Sequence, residues 1–516
     1  MPPRSRWTVP AVSLLLALLT LIPYGLAYAG AGDSRFTGFL LNPFDAASYL
    51  AKMRQGYDGQ LTYTLAFAAD PGPGAAIFLY YLFLGRIARL LQLSLAAVWQ
   101  AARVLGAAGF LWIAWEFFGR LGLSDRGRRI AWIVAIAGSG FGFLAVPFGG
   151  YTADLWVAEY IPFLGMFTSA HFPLATGLIL LLAMRIALPP RPASAGSLAL
   201  TFGIGTLLGA IQPFAFLPLG AALAAWIAWR RIRDGRFPAG APAGLAAAGA
   251  GLLPWVVYDF WITQTMPAFA SWFAQNQTPT PPVWDVALST GLPGLLCLAL
   301  LIRWVRAAGG LREKLRSVPD GALLAALWLA LNLILIYLPV PLQRRLMLGM
   351  WIPPAALAAP ALEAWLFRPA PDARRAWAAG VPVFLGNFFF AGLLLAVALS
   401  RNSNFFLTPD QAAAADWLAE NARGQVVLAP QDLARWLPGL AGVRVVYGHP
   451  METPDADAAR AAVDCVYRSG TACDPPAVIE TYRVGWIVAD SEWIGAGLSL
   501  AEAARFGDIT IWAVEG

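Results

Sequence analysis

Apolar runs of roughly twenty residues recur from Thr8 to Leu399 and leave this chain few folds to choose from. Wound as a helix, a run of that length matches the ~30 Å of hydrocarbon in a bilayer. About eleven can be drawn, at 8–30, 96–118, 129–147, 171–188, 198–211, 213–230, 242–262, 284–304, 319–338, 344–367 and 377–399. The run at 198–211 is short and stops at Gln212-Pro213, as a broken or tilted helix would. Of the 516 residues 59% are hydrophobic and 13% charged, the balance of a polytopic membrane protein. The N-terminal MPPRSRW and the run behind it also have the layout of a signal peptide ending near LAYAGAG. A run from Thr8 to Gly30 is long for one, and an uncleaved first membrane helix is expected.

Arginine placement orients the spans. The clusters are Arg4/Arg6, Arg120/Arg126/Arg128/Arg129, Arg230/Arg231/Arg233/Arg236, Arg303/Arg306/Arg312/Arg316 and Arg368/Arg374/Arg375. Basic residues concentrate in cytoplasmic loops, and with these boundaries all five clusters fall on one side. The loops 31–95, 148–170 and 263–283, and everything after residue 400, then lie outside. The formal net charge of +6 reports those loops and their contact with anionic lipid. No Lys-rich soluble module with stacked aromatics points to nucleic acid. The segment 75–93, AAIFLYYLFLGRIARLLQL, is apolar enough to span, but a span there would carry Arg120–Arg129 to the outside. It is read as a helix in the outer interface with Arg86 and Arg89 at the headgroups.

Arg344 and Arg345, in PVPLQRRLMLGMW, stand at an outer helix end. Snorkelling to headgroups would explain them. An anionic partner would explain them too, since guanidinium groups bind phosphate bidentately.

After Ser400 the sequence turns soluble-like. TPDQAAAADWLAENA is an amphipathic helix with Thr408 or Asp410 as its cap. QVVLA, RVVYG, GWIVAD and DITIWAV are short β-branched runs separated by helical stretches such as DADAARAAVDCVYRSG. The expected architecture is mainly α: a polytopic membrane helical bundle over 1–400, with a large first outer loop at 31–95, and a small extracytoplasmic α/β domain over 401–516. Cys465 and Cys473 flank VYRSGTA and form a plausible disulfide if that domain is outside. With two histidines and three cysteines there is no zinc, haem or iron–sulfur spacing, and any divalent metal would have to sit on carboxylates.

The chemistry-bearing residues gather in the outer segments. In NPFDAASYLAKMRQG, Asp45, Tyr49, Lys52 and Gly56 share one helical face and Ala46, Leu50 and Met53 another, which predicts an interfacial amphipathic helix followed by Arg54 and Asp58. Asp45 is also a good N-cap for that helix. The second outer loop adds Asp154, Glu159 and His171. GHPMET, at 448–453, closes a strand; His449 and Glu452 face either an acceptor or only their own turn. Acids that accept a proton, together with Lys52, Arg344 and Arg345 as phosphate partners, are what glycosyl transfer from a phosphorylated lipid requires.

This layout resembles the glycosyltransferase C (GT-C) superfamily of integral-membrane enzymes, which includes oligosaccharyltransferase catalytic subunits, protein O-mannosyltransferases and aminoarabinose transferases. Its members carry an acid near the start of a large first outer loop, followed by an aromatic and basic helix. NPFDAASYLAKMRQG occupies that place, and Asp45 matches the catalytic acid. Asp154 or Glu159 matches a second-loop acid of several members. SYLAKMRQG, QRRLMLGMWIP and GVRVVYGHPMET resemble more closely a set of uncharacterised bacterial members. The chain has no WWD-type motif, and Ala46 stands where O-mannosyltransferases have a second acid, so the resemblance implies a different acceptor or a lost activity.

The resemblance implies a glycosyltransferase of the cytoplasmic (inner) membrane. The donor is a polyprenyl-phosphate-linked sugar, and the acceptor a glycan, lipid or protein. Asp45 is the catalytic residue. Together with the reading of the residues themselves, this makes Tyr49, Lys52, Arg54, Asp154, Glu159, His171, Arg344, Arg345, His449 and Glu452 the expected substrate-binding residues. Two other classes compete. A flippase of lipid-linked saccharides would place ionisable residues mid-membrane and show internal repeats. A non-catalytic assembly protein would use the C-terminal domain alone.

Overall fold

A helix satisfies its own main-chain hydrogen bonds, so an apolar chain in hydrocarbon becomes helical before anything else is decided. A computed structural model describes residues 7–188, 192–367, 371–468, 473–493 and 495–515. Arg4, Arg6, Arg368 and residues 469–472 of the VYRSGTA loop lie outside them. Of the described residues 66% are helical. Among the described residues six helices are long and apolar enough to cross a membrane: Thr8–Gly30, Leu95–Arg120, Ala241–Thr265, Val283–Arg306, Gln343–Phe367 and Ala373–Leu399. Asp125–Ala137 and Gly142–Phe148 form a further pair bent by 45°. His171–Ile186, Ala195–Ile211 and Asp320–Leu335 are shorter apolar helices. Leu217–Asp234 ends in its arginine cluster. Every span read from the sequence falls on one of these segments, and the chain is a multi-pass membrane protein.

The chain divides into two compact units. The first takes residues up to 21, 102–257 and 278–393. In it Asp125–Ala137 and Val283–Arg306 pack on Ile352–Phe367, and Leu217–Asp234 packs on Asp320–Leu335. Its two helix breaks nest. Gly291 has φ 55° and ψ −141° inside Val283–Arg306, and a Cβ there would lie 2.7 Å from the Gly140 Cα. Phe141 donates its N–H to the Leu288 carbonyl at 2.9 Å. Arg103 is fully buried within the span Leu95–Arg120, a charge that the sequence reading passed over. It donates to Thr20 Oγ1 at 2.7 Å and to the Met166 carbonyl at 2.6 Å, which satisfies a group that hydrocarbon would otherwise penalise.

The second unit takes 22–101, 258–277 and 394–516. Here β1 (Arg35–Phe36) from the first loop pairs antiparallel with β2 (Phe406–Leu407), just beyond the last long helix. The strands β3 (Val426–Leu428), β4 (Arg444–Val445), β5 (Trp486–Asp490), β6 (Leu500–Phe506) and β7 (Ile509–Val514) form one sheet in the order β4-β3-β5-β7-β6. The β3 pairings are parallel, while β7 runs antiparallel to β5 and β6. Thr408 caps Pro409–Asn421 with a full capping box to Gln411. Cys465 and Cys473 are joined by a disulfide. β6 was not anticipated. Its LAEAARF composition favours a helix, but pairing with β7 overrides propensity, and Glu502 and Arg505 guard the exposed edge.

One sequence expectation for the first loop changes. The helix Pro43–Tyr57 is not an interfacial amphipathic one: Ala46, Leu50 and Met53 are buried, and so are Ser48, Lys52 and Gly56 around the cylinder. The segment 75–93 contributes Leu79–Leu91, whose 13 residues span only ~20 Å. That helix packs directly on Pro43–Tyr57. Glycines make the approach possible. A Cβ on Gly56 would lie 2.0 Å from the Leu82 carbonyl oxygen, and one on Gly85 would lie 1.9 Å from the Met53 carbonyl oxygen. Because those neighbours are main chain, Gly85→Ala must push the helices apart. It is expected to lower stability by about 3 kcal/mol, at the upper end for overpacking, in thermal denaturation of the purified protein. Gly109→Ala, whose Cβ meets nothing within 4 Å, is the control and should lose nothing.

Candidate active site

The first turn of Pro43–Tyr57 carries the acid singled out by the sequence. Its N-cap is Asn42, not Asp45. Asn42 holds φ 43°, a left-handed conformation that asparagine tolerates, and Pro43 follows at the first helical position. The Asn42 side chain accepts the Asp45 N–H at 3.4 Å, and its amide donates to Asp45 Oδ2. Asp45 is therefore the third helical residue, exposed, with one carboxylate oxygen oriented by the cap. The pair Asn-Pro at the start of the helix was the signal that identifies the cap.

One turn further along lies a buried polar cluster. Lys52 and Glu452 are almost wholly enclosed, and Lys52 Nζ donates to Glu452 Oε1 at 2.8 Å. Ser48 Oγ donates to the same oxygen at 2.6 Å, and the Tyr63 hydroxyl donates to Oε2 at 3.2 Å. Lys52 Nζ also bonds Ser48 Oγ and lies 3.9 Å from the Phe78 ring centroid. Burial alone would raise the Glu452 carboxyl, but the Lys52 charge and the hydrogen bonds of Lys52 and Ser48 hold it at about 2. Ser48 and Tyr63 were missed by sequence reasoning. Ser48 stands four residues before Lys52 on the same helix, whereas nothing local marks Tyr63.

GHPMET is a closed turn. The Thr453 N–H returns to the His449 carbonyl at 3.0 Å, and His449 Nδ1 accepts the N–H groups of Met451 and Glu452, each at 3.0 Å. Burial pushes His449 down to about 4, so the ring is neutral near pH 7 and free to accept. It lies against Phe44, the neighbour of Asp45, at 5.4 Å between centroids, and against Phe67 at 5.3 Å. Tyr49 stacks on Tyr81 at 4.5 Å with planes 7° apart. Arg54 donates to the carbonyls of Gly439 at 3.0 Å and Leu440 at 2.6 Å. Asp58 is paired with Arg423. In this unit, then, Asp45, Lys52, His449 and Glu452 belong to one helix and the turn packed on it.

The remaining candidates belong to the first unit. Asp154 is fully buried. It accepts from Thr152 Oγ1 at 2.7 Å and from the Gly142 N–H at 3.1 Å, while its own N–H goes to Ser289 Oγ at 3.1 Å. Burial raises its carboxyl despite those bonds. The Ala153 N–H reaches Asp285 at 2.8 Å, so this carboxylate pair ties the 148–170 segment to the start of Val283–Arg306. Glu159 lies 3.8 Å from Arg344 Nε, and the Arg344 guanidinium covers Trp156 at 4.9 Å. Arg345 faces Phe214 at 5.8 Å. His171 Nδ1 is 2.7 Å from Ser169 Oγ, where His171–Ile186 begins. Among the described residues no three His, Cys, Asp or Glu side chains converge as a metal site.

Removing one partner of a buried ion pair strands the other. Lys52→Met is expected to cost about 3–5 kcal/mol. The double variant Lys52→Met/Glu452→Leu should recover most of that loss. Thermal denaturation of the three variants checks this, and additive losses would mean that the pair does not couple.

No protein-family model and no curated protein matches the chain. Solved structures do. The oligosaccharyltransferase of Archaeoglobus fulgidus, solved with Zn and sulfate, matches with a TM-score of 0.53 at 13% identity, over 93% of this chain and 68% of its own. The arabinofuranosyltransferase AftD from Mycobacteria matches with a TM-score of 0.53 at 15% identity over 98% of this chain, which spans 40% of the AftD chain. Both are GT-C glycosyltransferases. The helical bundle and its small C-terminal sheet have the GT-C fold.

Proposed function

We propose that this chain is a glycosyltransferase of the cytoplasmic membrane, that it moves a sugar from a polyprenyl-phosphate donor to a glycan, lipid or protein acceptor on the outer side, and that its N-terminus is cytoplasmic and its C-terminal domain extracytoplasmic. The observation that carries the reading is the place of Asp45, on the first turn of Pro43–Tyr57 with one carboxylate oxygen oriented by Asn42. Asp45 is exposed at the first turn of its helix, at the position where GT-C enzymes keep their catalytic acid. In the proposed step an acceptor hydroxyl oxygen attacks the anomeric carbon. The bond from that carbon to the phosphate oxygen breaks, polyprenyl phosphate departs with the electron pair, and the hydroxyl proton passes to Asp45. The neighbouring enclosed Lys52 serves the helix rather than the donor.

Asp45→Asn keeps an oxygen for the Asn42 amide and should fold normally. Transfer from a labelled polyprenyl-phosphate sugar is expected to fall by more than about a hundredfold, the contribution of a positioned base. In intact spheroplasts the wild type should label a membrane-impermeant acceptor without permeabilisation. Wild-type turnover by the Asn variant would remove Asp45 from the chemistry, and labelling only after permeabilisation would reverse the orientation.

The donor phosphate is assigned to Arg344. Its Nε is buried without a hydrogen bond, and its guanidinium is braced by Trp156 and Glu159. Arg344→Lys loses the bidentate fork and should weaken donor binding about ten- to a hundredfold, whereas Arg345→Lys should be mild. Titration of both variants at fixed lipid composition tests this. Equal and negligible effects would leave snorkelling as the explanation.

A further inference from the structure

The second unit contains a cavity of about 360 Å³ on the side of Pro43–Tyr57 that carries Leu50, Arg54 and Tyr57. Tyr28, near the end of the first membrane helix, lines it, as do Leu95 and Ala96 at the start of the helix Leu95–Arg120. The end of one span and the beginning of the next mark one surface of the bilayer, so the cavity opens at headgroup level. Its walls are mostly apolar, and Tyr28 and Leu93 are half exposed, as suits side chains that face lipid. We propose that this cavity binds the phosphate of an anionic phospholipid and the first methylenes of its chains, a site separate from the proposed transfer chemistry.

Three features supply the affinity for an anion. Arg54 donates to the Gly439 and Leu440 carbonyls, neutral partners that leave its charge in place. Asp58, one turn beyond Arg54, is itself engaged by Arg423. Arg35 adds a second guanidinium, neutralised by a bidentate pair with Asp416. The local balance is thus one positive charge against the single negative charge of a phosphodiester. The third feature is the N-terminus of the 26-residue helix Leu95–Arg120, which opens on the cavity with Ser94 at its cap. The positive end of that dipole adds to the guanidinium attraction. A cavity of this size holds a headgroup and not a whole lipid, so the acyl chains lie along the apolar rim.

The test is native mass spectrometry of the full chain from dodecyl maltoside, titrated with palmitoyl-oleoyl phosphatidylglycerol, the matching phosphatidylcholine, polyprenyl monophosphate and inorganic phosphate. One phosphatidylglycerol should be retained with at least about tenfold preference over phosphatidylcholine, and millimolar inorganic phosphate should not displace it. Ser94→Asp keeps the helix cap while placing a negative charge in the cavity, and should weaken phosphatidylglycerol binding about tenfold. Arg54→Gln should do the same; if its folding fails, Ser94→Asp decides alone. Equal retention of the two phospholipids, or wild-type binding by Ser94→Asp, overturns the proposal. Displacement by inorganic phosphate would make this a free-anion site, and tighter binding of polyprenyl phosphate that Ser94→Asp abolishes would make it the donor's. Because the readout is lipid retention, failure here leaves the transfer reading untouched, and loss of transfer leaves this one untouched.

Discussion

Lys52 and Glu452 lie 400 residues apart in sequence and meet at 2.8 Å with almost no solvent between them. Taking both charges out of water costs several kcal/mol each, and only a fully satisfied geometry offsets it. Ser48, Tyr63 and the Phe78 ring supply that geometry. Such a pair is weak evidence for net stability but strong evidence for register. Sliding SYLAKMRQG past GHPMET would separate the two buried charges, so the pair favours the present alignment of helix and turn. Phe44 then lies against His449, and the first turn with Asn42 and Asp45 inherits its position from that contact.

Precision at Asp45 also depends on close packing around the rest of the helix. Leu79–Leu91 approaches at main-chain contact through Gly56 and Gly85, which leaves no room for sliding. Arg54 fastens the opposite side to the carbonyls of Gly439 and Leu440. The β1–β2 pairing anchors the strand that leads into this loop. A proton acceptor displaced by an ångström loses much of its effect, so a helix locked on several sides suits a catalytic carboxylate better than a mobile loop does.

The membrane helices were legible because hydrocarbon leaves only one solution for an apolar run of twenty residues. Four of the five C-terminal strands were legible for a similar reason, being β-branched and buried. β6 was not, because an Ala- and Glu-containing edge strand is dictated by its partner rather than by its own residues. Asp45 could be picked out from its place after the first span, but its state could not. Asn42 was written in the sequence as an ordinary helix start, whereas the Lys52–Glu452 pair was not, since nothing local links positions so far apart. Lys52 looked like a phosphate ligand for the same reason that makes it a good buried partner, a cation in an aromatic setting.

The buried charges of the first unit bear on the choice between the proposed interfacial enzyme and a carrier. A carrier moves ions or substrate through the membrane middle and keeps ionisable groups there that can change partner. Arg103, enclosed within the span Leu95–Arg120, is bonded to Thr20 and to the Met166 carbonyl. Asp154 and Asp285 are spent on Thr152, Ser289 and main-chain N–H groups, where they hold the 148–170 segment to the start of a helix. These groups behave as structural fasteners, because releasing any of them would leave a buried polar atom unsatisfied. A carboxylate that must take up and release a proton in each turnover has to remain accessible, and Asp45, exposed with its orientation set by Asn42, is compatible with the role proposed for it.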